Sequence, residues 1–467
     1  MCAWGQKGPE GSDEGASGVA DLAAKLRADP GPRALAVLPP PLRRVGPAGW
    51  CELAAALAEN AATARRGGGG PSGHRGLEEL LAAGHAIAPA ECEALAAAAR
   101  GHPGLRALEV GDGALGCEGA AALARGLAGG GLRRWTLEGK GLKGPGVEAI
   151  AAAISQHDWG LEELLLSDNP IGDEGVAFLS SALGQLRALE LRAAQVTAVG
   201  AAWLADGLGQ APRLERLALG GNPGALDAAA CAALGDALRL HPALQELGLG
   251  GCGVGDAGLA ALADGLQRAP ALRELDLSGN ALSAQCGLPL TWLARARHLV
   301  RLDLSGNAQL GDPGCHHLVQ GLRSSDAQGV ALDVAGCGLS AAAVAELAGC
   351  ANLQGLRLAG NPLGDAGGAA VGAAFRSGGF RGLATLDLCC TGIGLAGAEA
   401  AVAPLLPGDA EGEAECGPAL CALLLAANPC TREEGWAGRA AEWTAAGAAR
   451  DLRLVWEAAD AGETARN

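Results

Sequence analysis

Leu272-Arg273-Glu274-Leu275-Asp276-Leu277-Ser278-Gly279-Asn280 reads L-x-x-L-x-L-x-x-N. The same nine-residue pattern returns at Leu161 to Asn169 (LEELLLSDN), Leu214 to Asn222 (LERLALGGN), Leu299 to Asn307 (LVRLDLSGN) and Leu353 to Asn361 (LQGLRLAGN). Leu244 to Cys252 (LQELGLGGC) carries Cys in the Asn place. Self-similarity at a period of about 20 to 50 residues is the signature of a stacked repeat array.

Each unit has two halves. Leucines alternating with other residues give a period of two, which predicts a strand. The second half follows G-x-x-x-L-x-x-x-L, as in Gly175/Leu179/Leu183 and Gly258/Leu262/Leu266. Spacing by four puts both leucines on one helical face. The glycine is expected to permit close strand–helix approach. Such a strand–loop–helix–loop unit predicts parallel strands joined by right-handed crossovers. One unit cannot bury its apolar face alone, so it stacks on its neighbours.

With these motifs in hand, the chain resembles a leucine-rich-repeat protein, and its long helical half resembles the ribonuclease-inhibitor type. That repeat class is shared with NOD-like receptors and Ran GTPase-activating proteins. The resemblance covers about Leu77 to Asn428. It implies an α/β fold: a right-handed solenoid, or horseshoe, with a parallel sheet on the concave face and helices on the convex face.

Repeat starts fall at Leu77, Leu105, Leu132, Leu161, Leu186, Leu214, Leu244, Leu272, Leu299, Gly329, Leu353, Leu383 and Leu420. Four segments are expected. Residues 1–31 form a disordered or short helical N-terminal segment. Residues 32–76 form a degenerate first repeat or cap with a Gly-rich insertion, Gly67 to Gly73. Residues 77–430 form the array, with an acidic insertion at 407–418. Residues 431–467 form a C-terminal cap and tail, with a helix near Arg432 to Ala446 and a closing strand at Leu452 to Trp456. A cap covers the bare core face and sheet edge of the last repeat.

The Asn place has a physical job, because an amide both donates to and accepts from loop backbone that has left the strand ladder. Asn169, Asn222, Asn280, Asn307, Asn361 and Asn428 should form a ladder along one edge. Cys252, Cys337 and Thr391 substitute in it, and His85, Gly113, Lys140 and Ala194 depart from the pattern.

Composition narrows the function classes. A net charge of −16 argues against a nucleic-acid backbone as partner and fits a soluble chain or one with a basic partner. The first residues have neither a charged nor an apolar signal region, and no run of apolar residues is long enough to span a membrane. The 15 cysteines make no paired C-x-x-C zinc pattern and read as reduced, mostly buried thiols. The expectation is a cytoplasmic protein, with a nuclear location also open, and no cofactor, metal or membrane contact.

Enzyme-like signals are few. Val110 to Gly116 mimics a G-x-G-x-x-G dinucleotide loop, but Gly113 and Leu115 fall in the repeat's own Asn and Leu places. His316 and His317 are adjacent on a predicted helix, so they diverge by about 100° and cannot share a metal.

Binding is therefore placed on the residues between the strand leucines, which face the concave surface that solenoids present to partners. The candidates are Glu274, Asp276, Arg301, Asp303, Asp333, Arg357 and Asp387. Asp276, Asp303 and Asp333 lie on successive strands about 4.8 Å apart and repel one another unless cations intervene. Arg301 and Arg357 are the internal cations. The stripe reads either as a receiver for a basic protein surface or as a solvated spelling of the repeat. The leading reading is a protein–protein interaction scaffold and not an enzyme. The alternative, from the resemblance, is a Ran-type GTPase activator. Those proteins place an arginine in a loop after an early strand, and Arg43 and Arg44 occupy the matching region here.

Overall fold

The computed structural model describes residues 23, 24, 26, 34–36, 46–66, 77–157, 159–406, 420–433, 435–448 and 452–456. Arg43, Arg44, the Gly-rich insertion, the acidic insertion and most of the first segment lie outside them. The chain divides into two units, Met1–Ala225 and Leu226–Asn467.

In the first unit the strands are β1 Ala34–Ala36, β2 Glu79–Ala83, β3 Ala107–Gly111, β4 Arg134–Thr136, β5 Glu163–Leu165, β6 Ala188–Glu190 and β7 Arg216–Ala218. From β1 to β7 consecutive strands pair in parallel. The second unit holds β8 Glu246–Gly248, β9 Glu274–Asp276, β10 Arg301–Asp303, β11 Val330–Asp333, β12 Leu353–Arg357, β13 Thr385–Asp387, β14 Ala422–Leu424 and β15 Arg453–Val455, again parallel and in chain order. A helix or helical turn follows each strand up to β14, as predicted by the switch from period two to period four. The last is a helix at Trp436–Ala448, and β15 then pairs on β14.

Burial follows the pattern. Leu275, Leu302, Leu332, Leu356 and Leu386 sit in register on successive strands and are at most 1% exposed. Burying a leucine contributes about 2 kcal/mol, so each repeat gains most of its stability from this row and the helix leucines behind it.

The Asn ladder forms in both units. Asn307 is representative: its Oδ1 accepts from the amides of Asn280 and Leu282, both at 3.0 Å. Its Nδ2 donates to the carbonyls of Leu277 at 3.1 Å and Leu304 at 2.6 Å. Asn169, Asn222, Asn361 and Asn428 repeat the scheme. Where the amide is absent, Cys337 Sγ and Thr391 Oγ1 donate to the Leu304 and Leu388 carbonyls.

The sequence did not suggest a second tie between repeats. The aspartate at the start of one helix receives the N-cap residue of the next. Asp312 accepts from Ser340 N at 2.8 Å and Ser340 Oγ at 2.5 Å. Asp256 does the same for Ser283, and Asp173 for Thr197. These hydroxyls also cap their own helices, which need partners for their first amides.

The role expected of the helix glycines is corrected. A Cβ at Gly258 would meet Val254 in its own turn and Cys231 Sγ in the preceding helix at 2.9 Å. One at Gly175 would meet Ile171 in its own turn and lie 3.5 Å from Gly144 Cα at the start of the preceding helix. Glycine therefore permits close helix–helix approach between repeats rather than helix–strand approach.

Candidate protein-binding face

Strand pairing puts Asp276, Asp303, Asp333, Arg357 and Asp387 in one register row across β9 to β13. Glu274 and Arg301 share the row before it. All seven residues singled out from the sequence thus lie on one sheet, on the side away from the buried leucines.

Their environments split the row. Asp276 Oδ1 accepts from Ser278 N and Asp303 Oδ1 from Ser305 N, both at 2.9 Å. Asp333 and Asp387 make the same bond to the amides of Ala335 and Cys389. The carboxylate closes the turn where the chain leaves the strand, a local role common to short acidic side chains. Sequence reading had weighed only a partner or bulk water.

Beyond that shared bond the four differ. Arg357 Nη1 reaches Asp333 Oδ2 at 2.8 Å and Arg357 Nε reaches Asp387 Oδ2 at 3.2 Å. Asp333 and Asp387 are buried, with side chains 8% and 10% exposed. Burial raises the pKa of Asp333, the Asp303 charge adds to this, and Arg357 and the Ala335 amide oppose it. Burial alone would lower the pKa of Arg357, but the Asp333 and Asp387 carboxylates outweigh it and the value rises. Asp276 and Asp303 have no such clip. Among the described residues neither pairs with a cation, and Arg301 and Glu274 are exposed and unpaired.

The first unit shows what a spent face looks like. Arg134 reaches Glu79 at 3.1 Å and Arg216 reaches Glu163 at 3.3 Å. Each pair bridges over an intervening strand, where Ala107 and Ala188 leave room. Lys140, in an Asn place, is buried, donates to the Gly111 carbonyl at 2.9 Å and lies 4.0 Å from Glu109. Burial lowers its pKa against the pull of Glu109. Burial raises that of Glu138, helped by Glu190 and Glu109.

The dinucleotide-like loop is also spent. Ala114 N donates to Asp112 Oδ1, Leu115 N to the Asp112 carbonyl and Gly116 N to the Lys140 carbonyl. Those amides are the ones a phosphate would need. The buried cysteines are poor nucleophiles. Burial pushes the thiols of Cys92, Cys231, Cys286, Cys315 and Cys337 up to about 12, so they stay protonated at neutral pH.

A family model described as "Leucine Rich repeat" matches residues 161–180, 241–263, 295–317 and 349–372. The chain carries leucine-rich repeats at these four places. Solved structures similar to it include the Rad7 and Elc1 complex of yeast, at 19% identity over 67% of this chain and 76% of that one, TM-score 0.47. A leucine-rich-repeat protein of Leptospira interrogans is similar at 15% identity over 93% and 98%, TM-score 0.41. An internalin of Listeria monocytogenes is similar at 16% identity over 73% and 84%, TM-score 0.39. No curated protein matches the leucine-rich-repeat chain in sequence. No described helix is long and apolar enough to cross a membrane.

Proposed function

We propose that this leucine-rich-repeat protein is an interaction scaffold whose sheet face over β9 to β13 meets a basic surface on a protein partner. The observation that carries this reading is the contrast within one register row. Asp333 and Asp387 share Arg357, whereas among the described residues Asp276 and Asp303 make no ion pair, and Arg357 acts on Asp303 only at longer range. Uncompensated like charges on adjacent strands cost the fold and contribute to binding when a cation arrives. The helix Gly311–Arg323, 13 residues long, supports placing the repeats in the ribonuclease-inhibitor-like class.

Zero-length carbodiimide crosslinking tests the reading directly. All four lysines, Lys7, Lys25, Lys140 and Lys143, lie outside 226–467. A carboxylate in that unit is thus well placed to join a partner lysine. Crosslinks to the captured partner should map to Glu274, Asp276 and Asp303. Crosslinks confined to the helices or to the first unit would overturn the proposal.

A further inference from the structure

The opposite sign gathers at the N-terminal edge of β9 and β10. Arg273, Arg295, Arg297 and Arg301 are all exposed. Among the described residues none of the four makes an ion pair or a side-chain hydrogen bond. The backbone brings them together. The Arg273 carbonyl accepts from Val300 N at 2.8 Å and Arg301 N at 3.0 Å. The segment between helix and strand is folded tightly, with Arg295 N bonded to the Trp292 carbonyl and Leu299 N to that of Ala296. Three acids lie near this edge: Glu274, in register with Arg301, Glu246, in register with Glu274 on β8, and Asp326, before β11. The balance remains positive in a chain of net charge −16.

Apolar surface adjoins the charge. Leu288 is 64% exposed and Trp292 39% exposed. They stand four residues apart on the helix Gly287–Leu293, hence on one face. Tryptophan and arginine are the side chains most enriched where partners bind tightly.

On the corresponding edge of the first unit three arginines are held internally, while Arg100 and Arg213 make no ion pair or side-chain hydrogen bond among the described residues. Arg133 pairs with Glu162 at 2.7 Å and Arg187 with Glu215 at 2.5 Å. Arg106 donates to the carbonyls of Pro103, Leu105 and Gly131. An arginine at this position of the repeat therefore finds a partner when the chain supplies one.

We propose that Arg273, Arg295, Arg297 and Arg301, beside Trp292 and Leu288, dock an acidic peptide segment of a partner protein that also carries apolar side chains. The inference rests on the scaffold reading only in taking the partner to be a protein. Charge and size select the class. The four cations sit on two adjacent repeats, whose strands lie about 4.8 Å apart, and so make a short patch. A nucleic-acid backbone or an anionic membrane extends well beyond that, and its flanks would meet the surrounding negative chain within a Debye length of about 8 Å. A short acidic segment fits the patch and ends where the repulsion begins.

The test uses the full chain and a fluorescein-labelled Glu-Glu-Leu repeat peptide, followed by anisotropy at low and physiological salt. The wild type should bind, and salt should weaken the complex. Arg295→Glu with Arg297→Glu should weaken it at least about tenfold, and Trp292→Ala about threefold. Arg133→Glu with Arg187→Glu changes the net charge equally and should cost less than about twofold. Circular dichroism verifies that each variant is folded. Asp276→Asn with Asp303→Asn should leave peptide binding unchanged or stronger, which separates this site from the sheet-face proposal. Absence of wild-type binding at low salt would overturn the inference, as would equal loss in both double arginine variants. Tighter binding to phosphatidylserine vesicles or to a single-stranded oligonucleotide than to the peptide would overturn it too.

Discussion

The two units build the same repeat and dispose of their surface charge differently. In the first, arginines and glutamates find one another: Arg134 with Glu79, Arg216 with Glu163, Arg133 with Glu162 and Arg187 with Glu215. In the second, Arg357 clips Asp333 and Asp387, while Asp276, Asp303 and four arginines on the neighbouring edge are left open. The fold does not require the open carboxylates. Leu165 and Ala218 stand in the equivalent row of the first unit, on either side of Glu190, and their strands pair as regularly. Charge that the scaffold does not use is available to a partner.

What the units share should fail alike. Asn222→Ala and Asn307→Ala each strand two amides and two carbonyls in the interior. Each should cost about 4 kcal/mol in urea unfolding. A much cheaper loss in either unit would break the equivalence.

A second effect belongs to the first unit. His102 is buried, contacts Asn60 at 3.0 Å and accepts at Nδ1 from the amides of Gly104 and Leu105. Burial lowers its pKa to about 4, aided by Arg106 and Arg65. The folded value lies below the unfolded one of about 6.5, so the stabilisation is complete above that pH. It is lost as pH falls towards 4, by up to about 3 kcal/mol. His102→Gln should flatten this pH dependence in a series of urea titrations. A wild-type slope unchanged by the substitution would contradict the assignment.

The clip comes next. Arg357→Leu leaves two buried carboxylates without their cation and should cost about 2 kcal/mol, reduced because the arginine is half exposed. Arg134→Leu, its counterpart in the first unit, should stay within about 0.5 kcal/mol. Between them, Ser340→Ala removes the hydroxyl bond to Asp312 and should lower stability by about 1 kcal/mol. Equal values for the two arginine variants would mean that burial does not distinguish the faces.

Strand order, the leucine row and the Asn ladder were legible because each is written once per period and does the same thing every time. The sheet-face row was legible in position but not in state. Asp276 and Asp333 sit in similar contexts, D-L-S and D-V-A, and the pairing that sets Asp333 apart comes from Arg357 on the next strand. The Asp312–Ser340 tie escaped because its two halves lie 28 residues apart in different repeats. The open arginines of 295–301 escaped for a related reason: an unpaired cation is defined by acids that are missing nearby in space, which a one-dimensional pattern does not display. The helix glycines were misassigned because their motif records smallness without naming the neighbour.

The most direct test of the central claim is the urea midpoint of the Asp276→Asn, Asp303→Asn double variant at low salt. The amide keeps the oxygen that accepts from Ser278 and Ser305 and removes only the charge. If these carboxylates serve a partner rather than the fold, the midpoint will equal or exceed that of the wild type, with the same slope. A clear fall would show that the scaffold itself depends on their charge, and the contrast drawn between the two units would not hold.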